Sequence, residues 1–471
     1  MRPPMRKDIL RLAWPVFIGQ LAVMLNGVID TVMAGRLSAI DMAAIGVGVS
    51  IYITVYIGLM GTLLGLSPIV AQHYGAGRHG EIGASFQQAL WLTVALSLLG
   101  CLALAWTDPW LALAAPPPEV AELVRGYLWA VAAGLPPALL FRAFYALNTA
   151  ISRPQVVMYI NLVGVALKIP LNALFMYGWE DVGIPAMGGA GCGVATSVIA
   201  WLSAGLAVLW LALDRGYERF ALLQRSRPDR RRMGELLRLG VPIGAAYTVE
   251  ITSFTFMALF LARLGATASA SHQVAANLTG ICYMGGLGLA SATSTLVAQS
   301  IGAGDPERAR RYALTGLRLA VGLALATAAV LLAGRLPIAH AYTSDLDVVR
   351  ASLPLIVAVA VFHFFDSMQT QFGFILRAYK IATLPMVVYV FAMWAVGLGG
   401  GWWLTFGTQP GDLAGALNGE RTGALGFWIA GTVGLAAATV GLGLLTVRRW
   451  RQDDGAPAGL RLRAKAASPG R

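Results

Sequence analysis

About twelve apolar stretches, each long enough to cross a bilayer, follow one another almost without interruption along this chain. A span needs about 20 predominantly apolar residues. Inside a bilayer every backbone N–H and C=O must be satisfied within the protein, so an isolated apolar run of that length has to be a helix. The stretches lie at about 12–34, 46–71, 84–106, 121–146, 155–177, 187–213, 240–262, 270–297, 312–334, 350–376, 384–407 and 423–447. Of 471 residues, 57% are hydrophobic and 12% charged, against about 25% charged in soluble domains. The fold class is therefore an all-α integral membrane protein of about twelve transmembrane helices.

Arg2, Arg6, Lys7 and Arg11 precede the first apolar run, as in a secretory leader. That run holds Asp30 and many spans follow it, so it reads as the first helix. Alternate connections are basic: Arg78 and His79, Arg153, the series Arg215, Arg219, Arg225, Arg227, Arg230, Arg231, Arg232 and Arg238, then Arg308, Arg310 and Arg311, then Arg377 and Lys380, and finally Arg448, Arg449 and Arg451. The others hold Asp108, Glu119, Glu180, Asp181, Asp345 and Asp347. Positive charge collects on the cytoplasmic side, which places both termini there. The formal net charge of +12 is explained by those loops and by anionic lipid headgroups, with no nucleic-acid partner. Residues 451–471 read as a basic, disordered cytoplasmic tail. Cys101, Cys192 and Cys282 all fall inside spans, an odd set that reads as free thiols.

The chain is an internal duplication. Arg11-Leu12 with Pro15 recurs as Arg238-Leu239 with Pro242, Arg36-Leu37 as Arg263-Leu264, and Ala71-Gln72-x-x-Gly75-Ala76-Gly77 as Ala298-Gln299-x-x-Gly302-Ala303-Gly304, all at an offset of 227 residues. Pro154-x-Val156-Val157 recurs as Pro385-x-Val387-Val388 after a small insertion. The halves are an N-lobe at 1–226 and a C-lobe at 227–450, joined by the arginine-rich stretch at about 214–237. Six spans per half return the chain to the same side, so the repeats are parallel, related by an axis along the membrane normal. Two such lobes enclose a central cavity and expose it to each side in turn by rocking. Pro15 and Pro242, which recur at the start of each repeat, are the hinge candidates.

Three acids, Asp30, Glu250 and Asp366, lie within spans. A charge at the bilayer centre costs roughly 2.5–3.5 kcal/mol on insertion scales, so such residues face a cavity or a partner and mark an ion or substrate path. By the repeat offset Asp30 aligns with Met257 and Glu250 with Val23, so each half has its own ionisable site. Helical spacing puts Asn26 one turn before Asp30, and the fifth span supplies Lys168 with Asn172 one turn on. Asp30 is expected to pair with Lys168, with Asn26 and Asn172 as hydrogen-bonding companions. Around Glu250 stand Tyr247 and Phe254. Around Asp366 stand Phe362, His363, Met368 and Gln369, with Tyr283 and Met284 as further neighbours. His363 is a relay candidate for Asp366. Aromatic faces attract organic cations and thioethers adapt to varied shapes, so carboxylates among rings and sulfur suit bulky lipophilic cations.

The sequence resembles the multidrug and toxic compound extrusion (MATE) family, NorM type, over essentially its full length. The matching stretches are Val28-Ile29-Asp30-Thr31-Val32-Met33-Ala34-Gly35 with Ser38-Ala39-Ile40-Asp41-Met42-Ala43-Ala44, then Ile169-Pro170-Leu171-Asn172, Gly191-Cys192-Gly193-Val194-Ala195-Thr196, Ser271-His272-Gln273-Val274-Ala275 and Leu376-Arg377-Ala378-Tyr379-Lys380. The resemblance implies twelve helices in two lobes and export of cationic drugs, hence antibiotic resistance, driven by inward sodium or proton flow across a bacterial inner membrane. It makes Asp30 the N-lobe acid, Glu250 and Asp366 the cation-binding acids of the C-lobe, Asn172 an N-lobe polar residue, and Cys192 a residue near the cavity. Relatives of this type have tyrosine where Phe362 stands and asparagine where Lys168 stands. Both departures tilt the coupling ion toward the proton over sodium, since sodium wants hard oxygen ligands, as calcium and magnesium do.

No cofactor is expected, and the partners are small organic cations and membrane lipids, with the protein a monomer. A flippase for a lipid-linked precursor is the alternative; it calls for basic residues in the cavity, where acids dominate here. A membrane enzyme is disfavoured, because the chain has neither a His-Glu-x-x-His run nor a phosphate-binding glycine loop followed by lysine.

Overall fold

The computed structural model describes residues 5–179, 181, 183–222, 226–407 and 423–455; Arg2, Glu180, Arg225 and the tail from 456 onward lie outside the described residues. Each apolar stretch is helical. The elements are α1 (Met5–Leu37), α2 (Ala39–Leu63), α3 (Leu66–Gly75), α4 (His79–Ala105), α5 (Asp108–Ala114), α6 (Pro118–Ala150), α7 (Pro154–Tyr177), α8 (Gly188–Leu213), α9 (Arg230–Ala262), α10 (Ala266–Gly302), α11 (Pro306–Ala333), α12 (Arg335–Tyr342), α13 (Leu346–Ala378), α14 (Thr383–Val390), α15 (Gly400–Trp402) and α16 (Ala424–Gly455). Twelve helical segments are long and apolar enough to cross a membrane, and they coincide with the twelve stretches read from sequence. The last helix runs on through Arg451 to Gly455, into the stretch expected to be a disordered tail.

The duplication is visible in the backbone. After α3 and α10 the chain makes the same turn, with Gly77 at φ +71 and Gly304 at φ +70, a left-handed conformation that only glycine adopts without cost. Arg78 N–H then donates to His73 O, and Asp305 N–H to Ser300 O, both at 3.0 Å. The short helices α5 and α12, which the apolar pattern did not reveal, also start 227 residues apart.

Two compact units divide the chain: Ile18–Gly244, and the remainder. Each division falls two residues past a proline in the interior of a helix, Pro15 in α1 and Pro242 in α9. Proline removes one backbone bond and locally weakens the helix, yet both helices continue through it. The connection after α8 is pinned within its own unit. Gln87 Nε2 donates to Leu222 O at 3.1 Å, Gln88 Nε2 to Arg227 O at 3.0 Å and Trp91 Nε1 to Ser226 O at 3.0 Å, while Arg232 pairs with Glu81 at 2.8 Å.

The eleventh span is irregular. From α14 it passes into a π-helical stretch, Phe391–Gly399, and after α15 into a second one, Trp403–Gly407. Such widened turns are rare and often mark functional sites. Within the second unit this span packs around Phe362, Trp428 and Leu435.

Candidate coupling sites

In the unit Ile18–Gly244, one carboxylate is enclosed by four helices. Asp30 lies about two turns before the end of α1 rather than at the centre of its span. Lys168 and Asn172, one turn apart on α7, reach the same oxygen: Lys168 Nζ stands 2.8 Å from Asp30 Oδ1, and Asn172 Nδ2 donates to it at 2.7 Å. The ammonium also donates to Thr196 Oγ1 at 2.6 Å, and that hydroxyl donates to Cys192 O at 2.9 Å. Lys168, Asn172 and Cys192 are 0–1% exposed and Asp30 is 7% exposed, so the charges offset each other away from water. The Cys192 thiol faces Asp30 as well.

Asn26 does not join this group; its Oδ1 is buried with no hydrogen-bond partner. It lies one turn before Asp30 on nearly the same face of α1, about 6 Å back along the axis, and Asn172 takes the hydrogen bond to Asp30 instead. Two residues escaped the sequence reading. Thr196 was detectable, since it lies one turn beyond Cys192 in a matched motif. Tyr127 was not: its ring is wedged between Gly48 of α2 and Gly193 of α8, within electrostatic reach of Asp30.

The second unit holds two acids in one neighbourhood. Asp366 on α13 is 5% exposed and close enough to Glu250 on α9 to interact with it electrostatically. Glu250 lies close enough to Tyr389 on α14 and to Arg377 to interact with both electrostatically. Arg377, counted from sequence as a loop residue, is in the last turn of α13. Its guanidinium lies 5.3 Å from the Tyr247 ring and 4.5 Å from the Phe374 ring, with Nη1 3.5 Å from the Tyr247 hydroxyl. Tyr283 is within reach of both acids. The arrangement is therefore two carboxylates, one guanidinium and the phenols Tyr247, Tyr283 and Tyr389. Neither Arg377 nor Tyr389 was singled out from sequence, because a basic residue at a helix end and a tyrosine in a span are both ordinary.

The remaining expected neighbours sort differently. His363 is fully buried, but its hydrogen bond runs to Ser367 Oγ at 3.4 Å, not to Asp366. The four-residue spacing aims it along its own stripe of α13. Phe254 and Phe362 form a box with Trp428, ring centroids 5.3–6.3 Å apart, beside an apolar cavity of about 20 Å³ that Met257, Met393 and Gly397 also line. Phe362 thus fills an apolar cluster. Gln369 accepts from Thr370 Oγ1 at 3.3 Å. Met368 is buried and Met284 half-buried.

With this geometry established, similarity to known proteins is decisive. The MatE family model matches residues 15–174 and 242–403, one copy in each repeat. The chain belongs to the MATE family. A probable multidrug resistance protein NorM of Aromatoleum aromaticum is 38% identical over 434 residues, covering 92% of each chain. The multidrug resistance protein PmpM of Pseudomonas aeruginosa is 34% identical, over 95% of this chain and 92% of its own length. Among solved structures, the eukaryotic MATE transporter AtDTX14 superposes with a TM-score of 0.85 at 18% identity, covering 98% of this chain and 99% of that one. An outward-facing multidrug resistance MATE transporter gives 0.85 at 19% identity over 96% and 97%. This MATE member is thus a multi-pass membrane protein with the family's twelve-helix fold.

Proposed function

We propose that this protein exports lipophilic, mostly cationic compounds in exchange for an inward proton, with both termini in the cytoplasm. The relatives' description as multidrug resistance proteins supports the cargo class. Basic residues in the alternate loops support the orientation.

The observation that carries the coupling reading is the charge balance of the two sites. Asp30 is neutralised by Lys168 at 2.8 Å, so the first site has no unmet charge for a cation to offset. In the second unit two carboxyl groups share one neighbourhood with a single guanidinium, Arg377, so one carboxyl has no cationic group to match it. Such a buried charge is costly until neutralised, and a single proton does that with no coordination shell. Three phenols restore the hydroxyl oxygens that Phe362 lacks, so the preference for the proton rests on Lys168 and Arg377 rather than on that departure. One elementary charge crossing a 100 mV potential supplies about 2.3 kcal/mol. Cargo and proton then alternate at the Glu250–Asp366 site.

The test is efflux of a cationic dye from everted membrane vesicles under a pH gradient with sodium absent. Gradient-dependent export that Asp366→Asn removes supports the reading. Export that needs sodium and ignores the pH gradient overturns it.

A further inference from the structure

Where α13 ends, three buried hydrogen-bonding groups have no partner. They are the Tyr379 hydroxyl, one residue past α13, and Arg449 Nε and Trp450 Nε1, both on α16. Each can donate, and a buried donor left unmade is costly. Arg449 and Arg310 of α11 lie within electrostatic reach of that hydroxyl, and Trp450 stands beside it. The Arg449 guanidinium is 5.6 Å from the centre of the Tyr379 ring, and the Arg310 guanidinium 5.3 Å from that of the Trp450 ring. One carboxylate is close: Asp453 pairs with Arg449 through Nη2 at 3.0 Å, on the side of the guanidinium away from Nε. Trp450 is 7% exposed, and all these residues belong to one compact unit.

The first repeat has the same corner in a closed form. Tyr379 stands six residues before Pro385, as Asn148 stands six before Pro154. Asn148 accepts from the Tyr217 hydroxyl, and Arg153 pairs there with Asp214, so tyrosine and arginine both find acceptors. In the second repeat no acceptor among the described residues meets the three donors. They call for a group from outside the chain that carries several oxygens and negative charge, and a phosphate has both and matches a guanidinium. Exposed apolar residues on α16, Val440, Leu444 and Val447, run at helical spacing to within one turn of Trp450, a track for an acyl chain. Basic pockets between helix ends take lipid headgroups in this way. We propose that Tyr379, Arg449, Trp450 and Arg310 form a binding site for a phosphate group, carried by a membrane phospholipid or free in solution. The site gives a role to Tyr379 of the Leu376–Lys380 motif, which neither coupling site uses, and it does not depend on the exporter reading.

The experiment uses the full-length protein, purified and stripped of lipid in a non-ionic detergent. Native mass spectrometry reads the binding of phosphatidylglycerol and of diacylglycerol with the same chains, and equilibrium dialysis reads the binding of radiolabelled inorganic phosphate. The tightest phosphatidylglycerol site should weaken about tenfold in Arg310→Gln and about threefold in Tyr379→Phe and Trp450→Phe, each of which deletes one donor and keeps a ring. Diacylglycerol binding should stay as in the wild type. Phosphatidylglycerol binding that falls in these variants identifies a lipid as the occupant. Inorganic phosphate bound by the wild type and lost in the same variants, with phosphatidylglycerol unmoved, identifies free phosphate. If none of the three variants moves the binding of either phosphate compound, the proposal is overturned. It is equally overturned if diacylglycerol weakens in step with phosphatidylglycerol, because the cluster then acts through packing. The two phenylalanine variants keep the charge of the cluster, so a folding failure of Arg310→Gln leaves the test in place.

Discussion

Lys168 Nζ and Asp30 Oδ1 meet at 2.8 Å, with side chains 2% and 10% exposed, so each is the other's neutralising partner where water cannot serve. Breaking a buried pair by removing one partner strands a charge and costs about 3–5 kcal/mol, whereas replacing both costs far less. Lys168→Met and Asp30→Asn should each lower the thermal unfolding midpoint in detergent, and the double variant should regain most of the loss. Losses that add, with no recovery in the double variant, would show the pair to be energetically uncoupled.

Lys168→Asn should give the first unit a cation requirement. Without the ammonium, the Asp30 carboxylate, the Thr196 hydroxyl that the lysine held and the new asparagine carbonyl supply hard oxygen donors next to an unmet negative charge. Sodium should then stimulate dye efflux by the variant while leaving the wild type unaffected. The measurement is the initial efflux rate at fixed pH gradient with sodium titrated in. A variant as indifferent to sodium as the wild type contradicts the idea that the lysine stands in for a cation.

The charge count in the second unit sets the stoichiometry. Arg377→Gln removes the positive charge beside Glu250 and leaves two carboxylates to be neutralised. Protons taken up per dye molecule exported should rise from about one toward two. Glu250→Gln and Asp366→Asn should instead lower gradient-driven export at least tenfold. Counting protons with a pH-sensitive dye in proteoliposomes decides it, and a ratio that Arg377→Gln does not move removes the guanidinium from the coupling scheme.

The fold was legible in the sequence because a bilayer admits few solutions. Long apolar runs become helices, and the 227-residue repeat recurs in the backbone, down to the glycine turns at Gly77 and Gly304. The Asp30–Lys168 pairing was legible for the same reason: an intramembrane lysine requires a counter-ion, and only one acid could be assigned to its half. What stayed hidden depends on rotation about helix axes. Spacing placed His363 near Asp366 and Asn26 near Asp30, but the imidazole bonds to Ser367 and the Asn26 carbonyl oxygen has no partner. Tyr127, Tyr389 and Arg377 look in sequence like packing residues or a loop charge. Their roles follow from which neighbouring helix each one meets, and periodicity along one helix does not encode that. The π-helical stretch Phe391–Gly399 has no sequence signature beyond its glycines.

Outside the membrane, the end of α8 is held by a clamp that pH should release. Arg153 Nη1 lies 2.7 Å from Asp214 Oδ2, its guanidinium covers the Tyr217 ring at 5.0 Å, and Tyr217 donates to the fully buried Asn148. Burial pushes the Asp214 carboxyl upward, but the Gly216 N–H and Arg153 outweigh it and hold the group below its ordinary value. A carboxylate lowered by folding stabilises the folded form above the ordinary range near pH 4, and that contribution disappears as pH falls through the lower folded value. Both partners are about a third exposed, so screening limits the pair to about 0–1 kcal/mol. Asp214→Asn should therefore speed amide exchange at residues 215–222 by up to about fivefold at pH 7, and the ratio of variant to wild-type rates should approach one in strong acid. A pH-independent ratio would mean that the asparagine disturbs packing rather than charge, because only the ionised form of Asp214 distinguishes it from its amide.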